Sequence, residues 1–396
     1  MIPTTSRVEA DQPVTPSTTN RLFALDGLRG LAALMIVAHH YGPSQIVAGI
    51  GEPLAYVSKA LGLSWSGVTL FFVLSGFLIG GLLMDNVAAP NYYRIFYLRR
   101  TCRILPAYAL LLVLYSAVHA ASLTAHYSPA LGWFSHQPLP WWSFLTFTQN
   151  FFMVKADDFG AGALGPTWSL AVEEQFYLLL PFFIRCVPRR WWPAFFFGAL
   201  IGSPLLRWWT PGMSAYVLLP MRADSFALGV GMAWLWRQPD ARLVLHRRQA
   251  WLRGLLVIFL IAGGVMTKFG VNMQWLQQPS GTLLHSWLNI FYSCALWLAL
   301  TEPKSLLARV CCWRGLRACG RWSYGLYLFH GFTNGLVQGL FLHQKPTLSH
   351  ATDLMFTLFA VASAIAFSAL VWRVLERPCV EFGHRFRYAR PATSKS

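Results

Sequence analysis

Apolar residues run through this chain in blocks about as long as a membrane-crossing helix, and short polar stretches separate them. The blocks lie near 25–46, 66–85, 104–124, 168–187, 191–209, 215–236, 254–273, 282–301, 322–342 and 351–372. About 20 apolar residues suffice to cross a bilayer core as a helix. The pattern therefore predicts an all-α, polytopic membrane protein, a bundle of ten transmembrane helices. The stretch 141–154 is apolar but too short to cross, and predicts an interfacial or re-entrant segment. Residues 1–20 are rich in Thr, Ser and Pro and carry no signal-peptide pattern, so they read as a disordered cytoplasmic tail. Residues 21–380 then form the membrane domain, and 381–396 a basic cytoplasmic tail.

Composition excludes a soluble domain, because 55% of the 396 residues are hydrophobic and 18 are Trp, more apolar surface than one core can hide. A net charge of +17 raises the question of nucleic acid. The basic residues answer it by falling into short clusters at 94–103, 185–190, 237–253, 304–321 and 373–395, between apolar blocks. That is the pattern of cytoplasmic loops facing anionic lipid headgroups, with no nucleic-acid partner. With ten spans every cluster falls on one side, so both termini are cytoplasmic; counting 141–154 as a span would move Arg185, Arg189 and Arg190 outside. Six of the seven cysteines lie in or beside these loops and predict no disulfides.

Against this background the ionisable residues inside the blocks stand out, since placing one in hydrocarbon costs a few kcal/mol or more and marks a candidate functional site. In LDGLRGLAALMIVAHH, Asp26, Arg29 and His40 fall on one helical stripe, because an eleven-residue step returns to within about 20° of its start. The stripe is expected to face protein. His39 points about 100° away and reads as packing. His40 lies about 22 Å from the cytoplasmic end, and Glu173 enters from the outer side to about the same depth in a core roughly 30 Å thick. A neutral imidazole is suited to take a proton from an alcohol, and a carboxylate beside it can hold its tautomer. Glu173 or Asp26 is therefore the expected support for His40 as base. Trp168, Arg222, Asp224 and His330 are the expected acceptor-facing residues. On the opposite side, Arg99, Arg100 and Arg103 are expected at the start of a helix, where guanidinium forks and free backbone amides suit phosphate.

The segments LDGLRGLAALMIVAHH at 25–40, GVTLFFVLSGFLI at 67–79, RRTCRILPAY at 99–108, PTWSLAVEEQFYLLLP at 166–181, MRADSFALGVG at 221–231, WSYGLYLFH at 322–330 and LERP at 375–378 together resemble membrane-bound acyltransferase family 3. That family comprises bacterial O-acyltransferases of surface glycans and related acceptors. The resemblance is to members without an extracellular hydrolase-like domain. It implies ten helices in the bacterial inner membrane, acyl-CoA (acetyl-CoA on family grounds) as co-substrate from the cytoplasm, no metal, and an acceptor hydroxyl on an exopolysaccharide or lipid-linked saccharide. By position, His40 matches the family's essential histidine, Arg29 its partner, Arg100 and Arg103 its donor-binding arginines, and Trp168 and Glu173 its WSLxVE motif. A homo-oligomer is compatible with the reading. Two further functions stay open on the residues: a transporter or flippase of lipid-linked sugar without covalent chemistry, and an O-acyltransferase of a small-molecule metabolite.

Overall fold

The structure is a computed structural model that describes residues 18–46, 52–124, 126, 128–268 and 281–389. Among these residues there is no strand, only an isolated bridge between Ile46 and Leu348. The long helices are α1 (Thr18–Tyr41), α2 (Gly67–Asp85), α3 (Tyr92–Ser122), α4 (Trp168–Cys186), α5 (Trp192–Trp209), α6 (Leu219–Trp236), α7 (Gln249–Lys268), α8 (Gly281–Thr301), α9 (Ser323–Leu342) and α10 (Ala351–Val371). Each overlaps one apolar block of the sequence. By length and composition, five segments are apolar enough to cross a membrane: Tyr56–Asp85, Tyr92–Ser122, Gln249–Lys268, Gly281–Thr301 and Thr352–Arg385. In α1, α4 and α6 the polar residues that interrupt the apolar run include the candidate site residues themselves.

The boundaries bear on three expectations. Of the tail 1–20, residues 1–17 lie outside the described residues and 18–20 open α1. The last residues of the block 254–273, from 269 on, also lie outside them. The segment 141–154 forms two short helices, Trp141–Leu145 and Gln149–Ala156, neither long enough to cross.

Apolar side chains face both inward and outward, as they must when the surrounding solvent is lipid. Val257, Ile258, Leu260 and Ile261 on α7 are exposed, as are Leu358 and Phe359 on α10 and Phe197 and Ile201 on α5. With lipid outside, inter-helix contact relies on close packing, which small residues allow. A methyl on Gly76 of α2 would stand 2.3 Å from the Phe226 carbonyl oxygen of α6, and one on Gly229 of α6 would stand 2.2 Å from that of Val73. At a second crossing, a methyl on Gly30 of α1 would meet the Leu316 carbonyl oxygen at 2.0 Å, and one on Gly320 would meet that of Asp26 at 1.9 Å. The short helix Arg314–Arg321 is thereby seated against α1 at Asp26 and Gly30, which fixes the height of Asp26 and Arg29 relative to α9.

Candidate active site

Helices α1 and α9 run side by side in the same direction, and the polar stripe of α1 faces α9. Near one end, the Arg29 guanidinium donates to Ser323 Oγ at 3.3 Å. Near the other, the rings of His40 and His330 lie 4.8 Å apart, and Tyr41 donates to the His330 carbonyl oxygen at 2.7 Å. The stripe thus faces protein, as its polarity requires. His39 is buried, with its ring edge-on to His40 at 5.1 Å.

Backbone carbonyls set the tautomers of both imidazoles. His40 Nδ1 lies 3.0 Å from the Ile36 carbonyl oxygen, and His330 Nδ1 lies 2.7 Å from that of Tyr327 and 3.2 Å from that of Leu326. A carbonyl oxygen only accepts, so Nδ1 carries the proton in each ring and Nε2 presents a lone pair. His330 is fully buried, and its Nε2 has no hydrogen-bond partner among the described residues. Two neutral imidazoles, each with a basic nitrogen available, therefore share one place inside the bundle.

Glu173 does not join them. Its carboxylate accepts from Ser75 Oγ and Tyr177 Oη, and no hydrogen bond links it to His40. The expected Glu173–His40 pair is thus replaced by a His330–His40 pair. The α4 helix turns Glu173 toward Ser75 of α2 instead of toward α1. Nor does Asp26 reach His40, because it lies fourteen residues earlier on the same helix. The neighbouring Glu174 is half-buried, and its Oε1 lacks a hydrogen-bond partner among the described residues.

Trp168, Arg222 and Asp224 form a second polar centre. Arg207 of α5 pairs with Asp224 at 2.7 Å, both side chains being at most 2% exposed. Arg222 donates to Thr69 Oγ1 at 2.9 Å, touches His285 Nδ1 and stacks over Phe72 and Tyr216. Trp168 packs 4.7 Å from the Tyr216 ring. A buried cation stranded without a partner is costly, so Asp224 answers Arg207 and binds α5 to α6. No hydrogen bond or ring contact joins Arg222, Asp224 or Trp168 to His40. The link runs instead through Ser169, whose Oγ is 2.6 Å from Tyr327 Oη, one turn before His330.

The arginines of RRTCRILPAY lie within α3, which begins at Tyr92, and not at a helix start. The expected free amides are therefore absent there, because the preceding NYYRIFYL is itself helical and uses those donors in its own turns. Arg99 donates to the Phe386 carbonyl oxygen at 2.6 Å. Arg103 pairs at 2.9 Å with Glu376, which is 0% exposed, and its guanidinium lies 5.4 Å from both the Tyr324 and Trp372 rings. Arg100 stacks 5.6 Å from the Tyr177 ring, and its Nε has no hydrogen-bond partner among the described residues. Glu376 is carried inward by a π-helical turn at Trp372–Glu376, a backbone form frequent at functional sites.

These contacts connect the arginines to the histidines. Tyr324, under Arg103, precedes His330 by six residues on α9, a rise of about 9 Å. Tyr327, whose hydroxyl donates to the Pro166 carbonyl oxygen, lies between them. Tyr324, Tyr327 and Glu376 were not singled out from the sequence, although they sit inside the segments WSYGLYLFH and LERP. Arg207 and His285 were missed too, and each is an isolated ionisable residue in an apolar block, the signal that picked out His40.

A family model described as an acyltransferase domain matches residues 22–373. The chain is 28% identical to the peptidoglycan O-acetyltransferase OatA of Listeria monocytogenes, over 90% of this chain and 55% of that protein. It is 26% identical to the O-acetyltransferase OatA of Staphylococcus aureus, over 77% of this chain and 49% of that protein. It thus spans less than two thirds of the length of these curated relatives. No solved structure matches it.

Proposed function

The chain belongs to membrane-bound acyltransferase family 3, and on that premise we propose that it transfers an acyl group, acetyl in the first instance, from cytoplasmic acyl-CoA to a hydroxyl of a cell-surface glycan or lipid-linked saccharide. The acceptor class is taken from the relatives, one of which is named for peptidoglycan. The ten long helices are read as ten spans of the bacterial inner membrane with both termini in the cytoplasm and the acyltransferase domain over 21–380, which keeps the arginine clusters on one side.

The observation that carries the proposal is the pair of tautomer-fixed imidazoles, His40 and His330, about 9 Å along α9 from the ring that supports Arg103. His40 Nε2 takes the proton of the acceptor hydroxyl as its oxygen attacks the thioester carbonyl carbon. The tetrahedral intermediate collapses with cleavage of the C–S bond, and the His40 imidazolium returns its proton to the departing CoA thiolate. The His330 ring, its centroid 4.8 Å from that of His40, lies beside the cation that forms on His40 in between. Arg100 and Arg103 hold the phosphates of the donor, and its pantetheine arm follows α9 past Tyr324 and Tyr327. Arg29 fixes α1 against α9, and Glu173 orients Tyr177 beneath Arg100. The Arg207–Asp224 pair, with Arg222 and Trp168, holds the outer half of the bundle in register beside the acceptor.

The test is acyl transfer to isolated cell-wall or lipid-linked glycan by purified His40→Ala, read by mass spectrometry as gain of one acyl mass. Wild type transfers; the variant, folded and inserted at normal levels, does not. Transfer retained by that variant removes His40 as base.

A further inference from the structure

Away from the two polar centres, a cavity of about 240 Å³ opens where α2 and α4 end and α5 begins. Its inner wall is apolar: Met84 and Ile184 are buried, and Val87 and Val187 complete it, with the Trp192 indole behind. Its rim carries two exposed guanidiniums, Arg185 and Arg189. Among the described residues no carboxylate lines it, and neither arginine makes an ion pair. Both are nonetheless held by rings, Arg185 at 5.3 Å from Tyr92 and 5.2 Å from Tyr93, and Arg189 at 5.9 Å from Trp192. Stacking fixes the plane of a guanidinium while leaving N–H groups along its edge, the geometry that meets phosphate oxygens.

The geometry points to a bound anionic glycerophospholipid, its phosphodiester against Arg185 and Arg189 and its glycerol and upper acyl carbons against Met84, Val87, Ile184 and Val187. A phosphate ester from a free ligand would satisfy the arginines equally well. The apolar wall decides for the lipid, because a hydrated free anion gains nothing from it. Lipid-facing Phe182 and Phe195 are exposed nearby on α4 and α5 and provide a surface for the acyl chains. Basic pockets between membrane helices are suited to such headgroups. The assignment depends on the chain lying in a membrane and is independent of the chemistry at His40.

The test is native mass spectrometry of the full chain in detergent with phosphatidylglycerol or phosphatidylcholine added. Wild type retains phosphatidylglycerol in preference. Arg185→Gln with Arg189→Gln weakens that retention about thirtyfold, from about 1 kcal/mol for each basic residue. Val87→Trp, which fills the cavity and leaves every charge in place, loses it as well. Arg247→Gln with Arg248→Gln, an equal loss of charge elsewhere, leaves it intact. Unchanged retention in the first or second variant overturns the site. Equal loss in the third overturns it as general charge attraction, and displacement of the lipid by inorganic phosphate overturns the lipid in favour of a free anion.

Discussion

The Arg103–Glu376 pair is expected to serve two functions that can be separated by experiment. Glu376 is 0% exposed and Arg103 16%, with 2.9 Å between charged atoms. Breaking a buried pair by removing one partner costs about 3–5 kcal/mol, because the other charge is left without compensation. The two halves should not cost the same. Arg103→Met strands a wholly enclosed carboxylate whose Oε1 already lacks a partner, and should fall at about 3 kcal/mol or more. Glu376→Gln leaves a guanidinium still facing the Tyr324 and Trp372 rings, each worth about 0.5–1 kcal/mol, with some access to solvent. It should cost about 1–2 kcal/mol. The double variant Arg103→Met with Glu376→Leu removes both charges and should recover most of the loss. Thermal melts in one detergent give the order: wild type and double variant high, Glu376→Gln lower, Arg103→Met lowest. Acyl-CoA binding by the same proteins then separates structure from recognition. Glu376→Gln should bind at least as well as wild type, and the stable double variant should bind poorly. Double-variant losses equal to the sum of the single losses refute the energetic coupling, and a double variant that binds acyl-CoA like wild type removes Arg103 from the donor site.

Further outcomes follow from the same geometry. His330→Leu should preserve the melt and the acyl-CoA affinity and lower kcat by about 10²–10⁴, the range of one lost acid–base contribution; an unchanged kcat shows that His330 only packs. Asp224→Asn should strand Arg207 and lower folded yield, measured by size-exclusion chromatography, whereas a normal yield with weakened acceptor binding returns Asp224 to the acceptor. Gly30→Ala puts a methyl 2.0 Å from a backbone carbonyl oxygen, so the helix Arg314–Arg321 must move away; a wild-type melt for this variant contradicts the close α1 contact.

The length of the apolar blocks carried the positions of the long helices, since each block overlaps one of them. Helix termini were legible only to within several residues: α3 begins at Tyr92 and not near 104, since NYYRIFYL mixes aromatic and polar residues without a hydropathy signal. An expected depth for His40, Glu173 and Arg222 was available from the fixed rise per residue. Azimuth between helices was not. Glu173 could face α1 or α2, and only the packing of α4 turns it to Ser75. The arginines show the same limit, since spacing marked them as a cluster but gave no sign that Arg103 would meet Glu376 from a segment more than 270 residues away.

The replacement of a carboxylate by a second imidazole beside His40 has its own physical logic. A histidine–carboxylate pair in the bundle would hold a permanent charge in a medium where an unanswered one costs several kcal/mol. Two neutral imidazoles carry no charge at rest, and the carbonyls of Ile36 and Tyr327 satisfy their N–H groups within their own helices. In the proposed mechanism charge would appear only while the acceptor hydroxyl is being deprotonated, on a ring whose centroid is 4.8 Å from that of His330. Two pairs of charged groups away from these rings answer one another, Arg207 with Asp224 and Arg103 with Glu376. In that mechanism, transfer of the proton to the leaving thiolate would restore the neutral pair and leave no charge on the two rings.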